Sequence, residues 1–220
     1  MWILLPGVLV WGLISAGCFG NSIELQQTQS LQNLNEELNK KTDVAELLTQ
    51  GNAYRNSVLN AQLGADSYNG RLAKAYYRRA LDLDPNNVEA MISMATLYVL
   101  GEPHVAHGWA RKALAIEPAN ADAHFVIGMA YAAGDSCDKA MGKFRELEDK
   151  KNLPERNRSY FYLWWGHCFA ELEREGDSIK MYEKAIELEE PIEAATFARD
   201  RVDSGTGTGG SGGSMFELSE

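Results

Sequence analysis

Residues 76–87 read YYRRALDLDPNN, and residues 109–120 read WARKALAIEPAN. The two stretches carry alanine and proline at matching places, Ala80 with Ala113 and Pro85 with Pro118, each 33 residues apart. Carried forward, the register reaches Leu147 after a further 34 residues and Ala185 after another 38. A period near 34 residues marks helix–turn–helix units laid side by side. One such pair cannot bury its own apolar face, so each must stack on the next.

Each unit repeats a small residue and an aromatic at fixed offsets. The third has Ile127-Gly128 and Tyr131, then Ala140, Phe144, Leu147 and a late Pro154. In the fourth, Tyr162, Trp165-Gly166 and Phe169 are followed by Ser178, Tyr182, Ala185 and Pro191. The second offers Met91, Met94-Ala95 and Tyr98, then Ala106, Ala110, Ala113 and Pro118. The first has Leu47, Gly51 and Tyr54, then Ala73, Tyr77, Ala80 and Pro85. Its turn is long: Tyr54 to Ala73 spans 19 residues where Tyr131 to Ala140 spans 9. The insert, SVLNAQLGADSYNG, either lengthens the helices or forms a loop. Small residues let antiparallel helices approach, and the rings fill the space where they splay. Pro85 and Pro118 stop one helix, and Asn87 and Asn120 are placed to cap the next.

This pattern resembles the tetratricopeptide repeat family over about residues 44–191. The resemblance implies an all-α, right-handed α-solenoid of about four helix pairs. The solenoid is expected over residues 44–203, with IEAATFARDRV (192–202) as a C-terminal capping helix.

The chain has 220 residues, 45% of them apolar and 24% charged, the balance of a folded protein. Its formal net charge is −10, which argues against nucleic acid as a partner, since phosphate binding needs a concentrated basic surface. The basic run from Arg71 to Arg79 reads as a solvated helix face.

The chain opens MWILLPGVLVWGLISAGCFG. Trp2 to Ile14 is almost wholly apolar but short of the roughly 20 residues a membrane span needs. Small residues, Ser15, Ala16 and Gly17, then precede Cys18. The arrangement resembles the lipobox of bacterial lipoproteins, although Ser15 stands where leucine is usual and no Lys or Arg leads the run. That resemblance implies a signal peptide over 1–17 and a lipid on Cys18. It also implies a membrane anchor in the bacterial cell envelope, facing the periplasm or exterior. Residues 18–43 read as a polar tether, although Leu31, Leu34 and Leu38 keep helical spacing. Residues 204–220, with SGTGTGGSGGS, read as a Gly/Ser-rich flexible tail.

No set of residues points to catalysis, a metal or a cofactor. His104 and His107 are expected as exposed turn histidines, and His124 as a packing residue. Cys137 and Cys168 belong to no CxxC motif, and a disulfide between them is open outside the cytoplasm although helix geometry speaks against it. The glycine run at 205–213 lacks the strand and helix of a phosphate loop. The acidic stretches ELEREG and EKAIELEE read as solvated faces.

In the resembled family, the first helix of each pair lines a concave groove. Carried onto this chain, the groove positions are Leu48, Asn52 and Arg55, then Ile92, Thr96 and Val99. Phe125 and Met129 follow, and Tyr160, Leu163 and His167 end the row. The family's clamp for a terminal carboxylate needs cations where Asp122 and Val126 stand, and only Asn52 matches it. The positions instead predict an apolar and aromatic groove with a polar edge, suited to a peptide or an amphipathic helix. Two alternatives stand beside it: the positions pack into a tighter solenoid, or Leu31, Leu34, Leu38 or Phe216 cover the groove. The expected function is a non-enzymatic scaffold for a protein or peptide partner, an accessory to an envelope assembly, secretion or transport machine. The alternative is a homo-oligomer or filament built through an exposed FYLWWGHCF face.

Overall fold

The computed structural model describes residues 10–60, 65–149, 151, 158–188, 196, 199 and 200. The chain divides into two units, Met1–Asp43 and Val44–Glu220.

The first unit holds helix α1 (Val10–Leu38), which takes in much of the stretch read as a polar tether. Its Gln, Glu and Leu residues are good helix formers, and side chains bond along the axis. Gln29 Nε2 donates to Asn33 Oδ1 at 3.0 Å, and Thr28 and Ser30 donate to the carbonyls four residues back. Leu31, Leu34 and Leu38 are less exposed than the polar residues between them. Cys18 falls within α1, and residues 1–9 lie outside the described ones. Among the described residues, no helix is long and apolar enough to cross a membrane.

The second unit is an α-solenoid of helix pairs, with no strand among the described residues. The first pair is α2 (Val44–Asn60) with α3 (Tyr68–Leu83), and the second α4 (Val88–Tyr98) with α5 (Pro103–Ile116). The third is α6 (Ala121–Ala133) with α7 (Cys137–Asp149), and the fourth α8 (Arg158–Glu171) with α9 (Glu175–Ile186). The insert lengthens the first pair, to 17 and 16 residues against 11 and 14 in the second. Pro154, Pro191 and the tail lie outside the described residues, as does the capping helix except for helical Thr196, Arg199 and Asp200.

Local chemistry sets the ends. Asn87 Oδ1 accepts from the Ala90 amide at 2.9 Å and Asn120 Oδ1 from the Ala123 amide at 3.0 Å, so both asparagines cap as expected. Ser67 does the same for α3. The preceding helices stop at Leu83 and Ile116, two residues before Pro85 and Pro118.

The glycines decide how close the helices come. A Cβ built on Gly51 would lie 2.6 Å from Tyr77 Cε1, and one on Gly166 would lie 2.5 Å from Tyr182 Cε1. One on Gly128 would overlap the Phe144 ring. Each ring is buried against the glycine of its own pair and contributes about 1.5–3 kcal/mol of hydrophobic stabilisation.

Contacts between alternate helices fix the curvature. Helix α2 touches α4, α4 touches α6 and α6 touches α8, whereas no such contact joins the described parts of α3, α5, α7 and α9. The first helices therefore form the tight inner row, and the second helices fan outward.

Candidate partner-binding face

The inner row has a polar end and an apolar remainder. At the polar end, Asn52 Oδ1 accepts from the Tyr77 hydroxyl at 2.8 Å and from Ser93 Oγ at 3.2 Å. Arg55 Nη1 donates to Ser93 Oγ at 3.0 Å, tying α2 to α4, and Nη2 donates to Asn56 Oδ1 at 3.2 Å. Its Nε is buried and finds no acceptor among the described residues. Burial pushes the Tyr77 hydroxyl up to about 12, so it stays a neutral donor at ordinary pH. Thr96 continues the row with its hydroxyl turned back to the Ile92 carbonyl at 2.9 Å.

Farther along, the apolar positions face inward. Phe125 packs between Phe144 and Phe161, with ring centroids 6.1 and 5.7 Å away. Leu163 belongs to the core of the fourth pair with Tyr182 and Ala185. Leu48, Val99 and Met129 are buried too. Ile92 is half-buried against Met91, Ala113 and Ala123. Most of the apolar positions expected to be exposed are thus buried, with rings packed against Phe125 and Leu163. Asn52, Arg55, Thr96 and His167 are half-buried, and Tyr160 is exposed.

His167 packs against the Trp164 ring at 6.1 Å, and desolvation holds its imidazole below the usual histidine range. Trp164 and Trp165 are both buried, so FYLWWGHCF presents no tryptophan for self-association.

Several residues depart from their sequence reading. Lys74, in the run expected to be solvated, is buried, bonded to Asp66 at 2.7 Å and 5.5 Å from the Tyr98 ring centre. The Lys74 ammonium, by its hydrogen bond and its charge, lowers the Asp66 carboxyl. His104 and His107 lie within α5 rather than in a turn. His107 packs on Tyr131 at 5.4 Å and is lowered by desolvation and by the Arg111 charge. His124 is half-buried, its Nε2 2.9 Å from the Pro118 carbonyl oxygen. Ser93 was absent from the expected row. A lone serine inside the apolar run AMISMATLY was the signal for it, since a buried hydroxyl needs a partner.

The spacing, the glycine–ring contacts and the inner row can now be set beside known proteins. A tetratricopeptide repeat family model matches residues 71–87 and 159–191, which take in most of α3 with its following turn and all but the first residue of the fourth pair. The helix pairs are tetratricopeptide-like. Among solved structures, the chain is similar to PilF of Pseudomonas aeruginosa, from a work on its functional characterization. The identity is 20% over 78% of this chain and 70% of that one, with a TM-score of 0.55. It is also similar to MamA, at 19% identity over 73% of this chain and 88% of that one, with a TM-score of 0.43. No curated protein matches the chain. The likeness to PilF concerns the fold. A scaffold of stacked tetratricopeptide-like pairs is suited to protein–protein interaction.

Proposed function

We propose that this protein is a non-enzymatic scaffold, exported and lipid-anchored through Cys18, that holds a protein or peptide partner on its inner helix row. In this reading it serves as an accessory to an envelope assembly, secretion or transport machine. The supporting observation is the polar end of the row. Arg55 carries a charge held in place by Ser93 and Asn56. A positioned, partly desolvated cation on a concave face favours a partner group that supplies acceptors. Asn52 and Thr96 flank it, and His167 and exposed Tyr160 extend the face on α8. The apolar segment ending in small residues before Cys18 supports the anchor.

A photo-crosslinking residue placed at Thr96 or Tyr160 in the native host should capture one partner in common. The same residue at Arg111, exposed on outer helix α5, should capture none. Capture from Arg111 alone would move the binding face to the outside. In the same strain, Cys18→Ser should shift the protein from the membrane to the soluble fraction, and retention would refute lipidation.

A further inference from the structure

Cys137 is the first residue of α7, and Cys168 lies in α8, in the next repeat. Both are free thiols and both are buried, at 8% and 0% exposure. Helix geometry, expected to speak against a bridge between them, brings them to one seam because of the way the two helices run. The Phe144 ring on α7 meets Phe161 on α8 at 5.5 Å between centroids. Seven residues is close to two turns, so it returns to the same face of a helix. Stepping back seven residues from Phe144 reaches Cys137, and stepping forward seven from Phe161 reaches Cys168. On antiparallel helices those two steps end opposite one another, so the two buried thiols face each other across the seam between α7 and α8. A hydrogen-bonding interaction between them favours thiolate at Cys137, which it lowers, and holds the proton on Cys168, which it raises. The acids Glu171, Asp135 and Asp138 around the pair act in the opposite sense on Cys137. Among the described residues, no group of three or more His, Cys, Asp or Glu gathers to hold a metal, so this is a pair and not a ligand set.

We propose that Cys137 and Cys168 form a modification site, a thiol pair that closes to a disulfide joining the third repeat to the fourth. The oxidant is a disulfide-bearing donor, either a small molecule or a thiol–disulfide exchange protein. Cys137, at the start of its helix, is reached when the first turn of α7 frays. Its thiolate attacks one donor sulfur, forming a mixed disulfide and expelling the other donor sulfur as thiolate. Wholly buried Cys168 then loses its proton and attacks Cys137 Sγ, expelling the second donor thiolate. Two thiols give up two protons and two electrons, and the donor leaves as two thiols. The product fixes α8, which carries His167 and Tyr160, to α7. Such a bond persists in an oxidising compartment and is reduced in a cytosol.

The test uses the full chain bearing Cys18→Ser in every arm, so that only the pair can react. The reduced, folded protein is incubated with oxidised glutathione, and its thiols are followed by alkylation and mass spectrometry. Both thiols should disappear together, no glutathione should stay attached, and a cross-linked peptide should join Cys137 to Cys168. Thermal unfolding should shift up by about 5–10 °C and return when reductant is added. Cys168→Ala should trap a lasting glutathione adduct on Cys137, whereas Cys137→Ala should leave Cys168 unmodified. Circular dichroism confirms that each variant is helical. The proposal is overturned if the folded protein keeps both thiols while an unfolded sample is oxidised. Separate glutathione adducts on the two cysteines, or a lower melting temperature in the cross-linked form, would overturn it as well.

Discussion

The second helix pair packs differently from the other three. Its register sets Ala95 with Ala110, both fully buried, whereas the others set Gly51 with Tyr77, Gly128 with Phe144 and Gly166 with Tyr182. The two solutions reach a close approach of the helices from opposite directions. Where the outer helix brings a ring, the inner helix gives up its Cβ. Where the outer helix brings only a methyl, the inner helix keeps one. The combined size of the facing pair is the constrained quantity, and the glycine follows from the ring. Glycine itself costs a helix interior about 1 kcal/mol relative to alanine. Three of the four pairs carry that cost and offset it by burying an aromatic side chain.

Gly166→Ala sharpens this contrast with the largest effect. Alanine should stabilise a helix interior, yet here the methyl would meet Tyr182 and lie 3.2 Å from the Ser178 carbonyl oxygen. Overpacking should outweigh propensity, leaving a net loss of about 1–3 kcal/mol in urea unfolding. A gain would show that the Tyr182 ring has room to move, and the size rule would fail for this pair. At the other end of the scale are Gly108 in α5 and Gly142 in α7, where an added Cβ meets nothing within 4 Å. Gly108→Ala and Gly142→Ala should each leave stability unchanged or raise it by up to about 1 kcal/mol. The same substitution thus changes sign with the environment of the glycine.

The parts of this fold legible in the sequence are those written in short-range spacing. The period, the caps at Asn87 and Asn120, the stops before Pro85 and Pro118 and the glycine–ring register all depend on residues within one unit. What the sequence hid depends on side chains brought in from other helices and turns, some in the same pair and some one repeat away. Leu163 and Phe125 sit at positions counted as groove, but rings from adjacent helices close over them. Lys74 reads as one more surface cation until Asp66 and the Tyr98 ring are seen around it. The juxtaposition of Cys137 and Cys168, 31 positions apart, follows only once Phe144 and Phe161 are known to face each other. The inner-row residues that stay partly exposed are more polar than the groove expected, Arg55 and Asn52 among them.

The most direct measurement is a double-mutant cycle between Gly128 and Phe144, read by equilibrium urea unfolding. With Phe144 present, Gly128→Ala should destabilise by about 1–3 kcal/mol. In a Phe144→Ala background, which rebuilds the alanine pair of the second repeat, the same change should be neutral or stabilise by up to about 1 kcal/mol. Equal effects of Gly128→Ala in the two backgrounds would contradict the claim that ring and glycine are sized to each other.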